Sequence, residues 1–538
     1  MTVPDTIEII GEIVHSKLIF ASEPVEVTFG ETPLPDGVIG RTYRFAIEPE
    51  TGTPPFSLSS GTLPDGLTLG GETGLIQGEP SVRGVAQLTV QVVDAGGNVG
   101  DFEGVIKVFG VLNFGEHGTF KGCNGLQMAF NSAQDLDEIR IEKGTYECNG
   151  LEIPSSKKFE HGIKVSGGWD SGFVSQSDDA AVTVLDGGAK MIDGVENWEQ
   201  CEEAGGVWKQ LCFQEEPPSN GILSVSADGS VAIEGLFFQN GYSSQGGAIS
   251  GNEKVGIVNC VFTNNSGGAV SWVGNIINST FTNNSAFGLG GAVYDSGNIS
   301  YSTFTNNSII GYGGAVYGAG NITNSTFTNN SSSNNGGAVN GAGNIINSTF
   351  TNNSASDNGG AAYFSGSIVN STFTNNNADE NGGAVYLYDS STITNSTFTK
   401  NSAQNGGAIS GEYRDKSSIV NSTIVNNNGG GFYGAGTILN TIFAQNKIGE
   451  EANDITPYGD LHVDYTLVNN ISGAVDLGTH FIMGEPRFVD AENGDFHLRS
   501  DSPAIDVGDD SVVEVEVDLD GNPRIVGGAI DLGAFERQ

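Results

Sequence analysis

The chain has 538 residues, enough for several ordinary domains or for one long repeat body with smaller modules attached. Its 22 Lys+Arg against 64 Asp+Glu leave a net charge of −42, which excludes a nucleic-acid-binding role because phosphate neutralisation needs clustered Lys and Arg. The 80 glycines carry no Gly-X-Y period, so a turn-rich β protein is expected rather than collagen, and no apolar run approaches the roughly 18 residues of a membrane-spanning helix.

Residues 1–26 form an N-terminal extension that lacks the basic start and apolar run of a signal peptide. Within it Asp5–Ala21 reads as a strand: the edge strand of the next module, or a donor strand that completes a neighbouring copy and builds a filament. From 27 to 110, segments such as GTLPDGLTL and AQLTVQVVDAGGNVG alternate strands with Pro and Gly turns at the spacing of a β-sandwich. Gly40 and Tyr43, Leu63-Pro64-Asp65-Gly66-Leu67, the Gly74 to Gly78 turn and Val93-Asp94 resemble the immunoglobulin-like family abundant in bacterial surface proteins. That resemblance implies a spacer. No cysteine precedes Cys123, so the inter-sheet disulfide of antibody domains is missing.

Residues 111–190 are expected to hold a cap and the first coils of a second body. Leu126, Ala129, Phe130 and Ala133 fall at i, i+3, i+4 and i+7, the pattern of a short amphipathic helix. Strand character resumes over Asp137–Ile153, and the helix followed by GTY resembles the opening of many bacterial β-helices, as do SGGWDSGF and TVLDGG. Cys123 and Cys148 lie 25 residues apart, about one coil, each before Asn-Gly, and stacking would bring them within disulfide reach. Residues 191–220 read as an inserted loop in which Cys201 and Cys212 are a second candidate pair; unpaired thiols are the alternative for both pairs. Cys260 is read as a buried ladder member, and no Cys-x-x-Cys or adjacent His suggests a metal.

Residues 221–480 repeat. Gly-Gly pairs begin at 246, 267, 290, 313, 336, 359, 382, 406 and 429, and a phenylalanine recurs at Phe262, Phe281, Phe304, Phe327, Phe350, Phe373 and Phe398. A unit of about 23 residues this poor in apolar side chains cannot bury a core alone, so it must stack on its neighbours, with like residues forming ladders. Phe and Ile would fill the interior and Asn rows would bond their amides along the stack. The recurring GGAV or GGAI and FTNN resemble the repeats of polymorphic outer-membrane proteins, whose GGA[IV] and FxxN motifs mark right-handed β-helical coils of surface adhesins. The expected fold is therefore all-β: an N-terminal Ig-like sandwich followed by a right-handed parallel β-helix with single coils of about 23 residues.

Between Val261 and Ser356 the only charged residue is Asp295, and no histidine lies between Gly246 and Asn446. A polysaccharide-cleaving β-helix needs grouped carboxylates or a base with acidic metal ligands. Charge gathers only at Asp379, Glu380, Asp389, Glu412, Arg414 and Asp415, which read as solvated turns. Thr-Phe-Thr recurs six times from 280 to 399; with Phe inward, its threonines form an outer two-column array, read as a hydrated wall, though it resembles the ice-binding face of some solenoids. Asn278, Asn306, Asn324, Asn347 and Asn370 begin Asn-x-Ser/Thr triplets, acceptors for glycosylation unless they are needed inside.

Residues 481–538 contain PRFVDAENGDFHLRSDSPAIDVG and DLDGNPRIVGGAIDLGAFE, which closely resemble the choice-of-anchor Q region that caps exported β-helices. Asp518-Leu-Asp520-Gly-Asn522 looks like half a calcium loop, but Pro523 replaces its glycine and a capping turn is expected. No cofactor is implied; a Ca²⁺ ion held by acidic turns is the one ion the composition admits. The expected role is a non-catalytic secreted or cell-surface adhesin or stalk, meeting carbohydrate, a host or neighbouring cell, or further copies of itself. A filament subunit and a β-helix polysaccharide lyase or hydrolase are the alternatives.

Overall fold

The computed structural model describes residues 29, 33–49, 55–93, 99–173, 175–188, 207–208, 212–213, 221–364, 366–412 and 417–538; one compact unit ends at Gly110 and a second spans Val111–Gln538. The Asp5–Ala21 segment and Cys201 lie outside the described residues.

In the first unit Phe56–Gly61, Gly84–Val93 and Val99–Phe114 pair antiparallel, with Gly37–Val38 joined in parallel to the last. Tyr43–Ala46, Leu75–Gly78 and Leu67–Leu69 form a second sheet. Alternation along the strands sends Phe56, Leu88, Val90, Phe102 and Ile106 of one sheet against Tyr43, Leu67 and Ile76 of the other, which makes a sandwich core.

In the second unit a helix, Gly122–Ser132, buries Leu126, Ala129 and Phe130 in the same core as the first coils. A disulfide joins Cys123 to Cys148, with Cα atoms 5.5 Å apart, and fastens this helix to the chain leaving the first coil. Strand Asp137–Glu142 is buried on both faces. Ile139 and Ile141 enter the core, while Arg140 pairs with Glu138 at 2.8 Å and lies 4.0 Å from the Trp169 ring, so the SGGWDSGF segment covers the outer face. In the inserted loop Val207–Trp208 and Cys212–Phe213 pair antiparallel.

The coil Gly313–Asn335 holds Val316–Tyr317, Ile322–Thr323, Thr326–Thr328 and Ser331–Ser332, each bonded in parallel to its equivalent in the next coil; the fourth strand recurs through five coils, from Ser285–Leu289 to Asn377–Ala378. Along the Thr-Phe-Thr strands the register does not shift, so Phe304 faces Phe327 and Phe327 faces Phe350. Twelve parallel strands form the Thr-Phe-Thr sheet, from Gly144–Glu147 to Ile442–Ala444. Phe262, Phe281, Phe304, Phe327, Phe350, Phe373 and Phe398 are all fully buried, with centroids 4.7–4.8 Å apart and planes within 7°. Phe238, outside the repeated motif, extends the stack at 5.1 Å. Burying each ring contributes roughly 1.5–3 kcal/mol.

Two polar ladders run beside the rings. Asn330 accepts from the backbone N–H and Nδ2 of Asn307, and its own Nδ2 donates to the Phe304 carbonyl and to Asn353 Oδ1, all at 3.0 Å. The same pattern runs from Asn265 to Asn446, so these buried amides leave nothing unpaired. A serine ladder accepts the turn N–H of the preceding coil, as Ser325 Oγ does for Ser302; Cys260 begins this column, buried and without a disulfide. The first Asn of each FTNN has a different task. Asn283, Asn306, Asn329 and Asn352 sit at φ 55–56°, the left-handed region that Asn tolerates better than most side chains.

The C-terminal lobe does more than follow the last coil: it packs on the outer side of the Thr-Phe-Thr sheet. Outward Thr397 and Thr399 register with Thr423 and Val425, then with Ile442 and Ala444, and Phe488, Phe496, Leu498 and Leu532 bury this apolar patch. The wall turns from threonine to aliphatic where the lobe docks. Within the lobe the backbone N–H groups of Asp520, Asn522 and Glu536 donate to Asp518, and those of Val526 and Asp531 donate to Glu536. The Asp518–Asn522 segment is thus a turn whose first carboxylate is occupied by backbone N–H groups. Arg524 is buried between these acids and donates through Nη2 to the Gly533 carbonyl.

Substituting Asn330→Leu removes four ladder bonds and strands buried partners, so that coil should lose about 3 kcal/mol, whereas Asn329→Gly, at an exposed left-handed position, should change it by less than about 1 kcal/mol. Amide exchange over Gly313–Asn335 measures the difference. Replacing both Cys123 and Cys148 by Ser should cost roughly 3.5 kcal/mol at the N-terminal end, as a closed loop of this length predicts, read as faster exchange of Leu126–Phe130.

Candidate functional site

In GGAVY the valine is inward, so the tyrosine must face out. The column on this face reads Ser271, Tyr294, Tyr317, Asn340, Tyr363, Tyr386, Ser410, Tyr433, in unbroken register, with the two serines buried and the tyrosines and Asn340 half-buried. Seven steps at about 4.8 Å give a row roughly 34 Å long. Tyr294 and Tyr317 lie 5.9 Å apart, Tyr363 and Tyr386 5.1 Å with nearly parallel rings, and Tyr388 and Tyr458 flank the row at 5.0 Å from Tyr363 and Tyr433. Burial, followed by Glu412 and the neighbouring Tyr388 and Tyr312, holds the Tyr363 phenol above its ordinary pKa, and burial together with Tyr458 does the same for Tyr433. These phenols therefore stay protonated donors at neutral pH.

The row was legible in principle. Its tyrosine recurs with the same period as the buried phenylalanine, but the residues of the GGAVY beat read equally well as core.

At the N-terminal end of the row Trp272 is 48% exposed and meets Tyr294 edge-on at 5.6 Å. Its φ of 57° is a conformation that costs a bulky side chain about 1–2 kcal/mol. Beside it opens a recess of about 700 Å³ lined by Asp228, Glu253, Lys254 and Asp295. Lys254 Nζ lies 2.7 Å from Asp228 Oδ1, which lowers the Asp228 pKa and raises that of Lys254 through the hydrogen bond and the paired charge.

A second concavity, about 830 Å³, lies between the Thr-Phe-Thr wall and the C-terminal lobe, with Thr349, Thr372, Thr374, Lys400 and Asp520 on its sides. Here the expected open array of six threonine coils is corrected: Thr397 and Thr399 are only 3% and 6% exposed because the lobe covers them. Asn324, Asn347 and Asn370 line this concavity, whereas Asn278 and Asn306 lie elsewhere on the surface; all five have φ of 47–55° and none belongs to the buried ladder. Which asparagine of each repeat turns inward was not legible, because it depends on the turn.

Asp379, Glu380, Asp389 and Glu412 are exposed, while Arg414 and Asp415 lie outside the described residues. Of the second cysteine pair only the Cys212 backbone is described, opposite Trp208. Among the described residues no group of three or more His, Cys, Asp or Glu side chains is placed to hold a metal ion, and no helix is long and apolar enough to cross a membrane. In the lobe His497 bridges Asp495 and Asp520, each at 2.7 Å. Burial pulls the His497 pKa down, but hydrogen bonds and charge from both carboxylates outweigh it and leave it raised.

Residues 24–107 match the family model described as "Putative Ig domain", and 278–296, 347–365, 370–388 and 395–412 match the Chlamydia polymorphic membrane protein repeat. A comparison with curated proteins finds no match. Among solved structures the chain is similar to a family 28 exopolygalacturonase of Yersinia enterocolitica (11% identity over 76% of this chain and 84% of that one, TM-score 0.32). It is also similar to a PL6 family polysaccharide lyase of Pseudopedobacter saltans (13% identity, 71% and 96%, TM-score 0.39) and to the PL6 family alginate lyase AlyGC (13%, 73% and 55%, TM-score 0.37).

Burial, with Asp531 adding to it, pushes Glu536 up to about 7 from an ordinary 4.5, against the pull of two backbone N–H groups and Arg524. A folded-state pKa above the unfolded one means a stabilisation complete below about pH 4.5 and lost as pH rises through 7; His497, also raised, loses its contribution above its ordinary 6.5. Exchange protection of Ile530–Glu536 should therefore fall between pH 4.5 and 7.5, and Glu536→Gln, which mimics the protonated acid, should flatten the fall.

Proposed function

We propose that the protein is a non-catalytic secreted or cell-surface β-helix adhesin that meets carbohydrate or a cell surface through its outward aromatic row. The observation that carries this reading is the row itself: tyrosines repeated coil after coil where a plain hydrated wall would serve folding equally well. Aromatic rings with polar tips give large, rigid contact area at low entropy cost, which is why they dominate recognition surfaces. The match of the repeats to those of polymorphic membrane proteins supports a surface location. Between Val261 and Ser356, which includes Tyr294 and Tyr317, the only charged residue is Asp295 and there is no histidine, which supports binding over turnover along this part of the row; Asp228, Glu253 and Lys254 stand at its N-terminal end.

Labelled full-length protein should bind glycan arrays or cells saturably, and Tyr317→Ala with Tyr363→Ala should weaken binding at least tenfold while the coils keep their exchange protection. The same assay with and without calcium tests whether an ion bridges this acidic chain to its partner. Degradation of pectate, alginate or polygalacturonate would overturn the reading in favour of a lyase or hydrolase. Fibres in electron micrographs that vanish on deletion of residues 1–21 would favour a filament subunit instead.

A further inference from the structure

Trp272 occupies a place that neighbouring coils fill with residues suited to a left-handed backbone. The equivalent positions are Asp295, Gly318 and Gly341, at φ 55°, 67° and 73°, and the preceding coil has Gly251. A side chain at Gly251 would press on the buried Val255 and Val273 and on the Trp272 carbonyl, so packing calls for glycine there. Folding alone would favour glycine at 272 as well.

The groups around the indole are fixed and chemically mixed. The Asn252 side chain accepts from the Lys254 N–H at 2.9 Å and donates to the Ala227 carbonyl at 3.1 Å, which holds the turn carrying Glu253 and Lys254. Lys254 in turn holds Asp228 at 2.7 Å. The recess thus offers one broad apolar ring, acceptors on Asp228, Glu253 and Asp295, and a donor on Lys254, in a volume of about 700 Å³ suited to a small ligand.

We infer that the Trp272 recess is a sugar-binding site that seats one pyranose of a neutral glycan flat on the indole, with its hydroxyls donating to Asp295 and Glu253 and accepting from Lys254. A pyranose has the matching two-sided character, an apolar C–H face and a rim of hydroxyls that both donate and accept. Three carboxylates against one ammonium repel an anionic uronate ring. The same surplus of acid would draw an organic cation, but a cation offers Lys254 no acceptor, whereas a sugar hydroxyl does. The inference rests on the adhesin reading and narrows it: the sugars admitted are those without carboxylates.

The test is titration calorimetry of the full chain with neutral oligosaccharides of glucose, mannose, galactose and N-acetylhexosamine, and with oligogalacturonate and oligoalginate. Neutral oligomers should bind and the uronates should not. Trp272→Gly should abolish binding, at least tenfold, while its coil melts at or above the wild-type temperature because the backbone strain is relieved. Asp295→Asn should weaken binding several-fold without changing the melt. A Trp272→Gly protein that binds the neutral oligomers as well as wild type overturns the site and leaves the adhesin reading standing. Binding of uronates alone, or of none of the panel, overturns the site too. Array and cell binding that survives in those cases keeps the adhesin reading, and its loss removes that as well.

Discussion

Everything in the repeat body follows from one constraint: parallel, in-register coils about 4.8 Å apart force each residue to sit beside its own equivalent in the next coil. A column survives only if its residue type tolerates itself as a neighbour. Phenylalanine does, by stacking; asparagine does, because an amide donates at one end and accepts at the other; serine does, by taking one backbone N–H and returning its own hydrogen to a carbonyl. A charged side chain does not. Two like charges at that spacing repel by roughly 1 kcal/mol in water and 3–4 kcal/mol near a protein surface. The scarcity of charge between Val261 and Ser356 is therefore first a property of stacking and only second a clue to activity.

The same constraint makes a solenoid surface a ruler. Whatever faces outward in one coil is repeated in the next, so a single tyrosine in a 23-residue unit becomes a row, and an interruption such as Asn340 or Ser410 becomes a defined gap in it. Charge enters around the Asp228–Lys254 pair, at the exposed turn residues Asp379, Glu380, Asp389 and Glu412, and in the C-terminal lobe. Concavities open at each of these places: the Trp272 recess, one beside Glu412 along the tyrosine row, and one between the threonine wall and the lobe.

The asymmetry of the sheet's outer face explains where the lobe sits. Threonine columns keep water, and an aliphatic continuation at Val425, Ile442 and Ala444 cannot, so the last part of the chain folds back over it. Its anchoring relies on carboxylates that gather backbone N–H groups around the buried Arg524, an arrangement that ties the fold of the lobe to protonation.

The amino-acid sequence by itself determined the coil length, the buried phenylalanine stack, the Ig-like module and the helix before the first coil. Each of these depends on local periodicity, which survives when the chain is read as a line. Only the tertiary structure decided which of two adjacent asparagines enters the interior, that the Tyr294 to Tyr433 positions align as one row, that Trp272 meets Lys254 and Asp295 at a recess, and that the lobe covers Thr397 and Thr399. Those outcomes depend on turn geometry and on which strands meet across the stack, and the spacing of residues along a chain does not specify either.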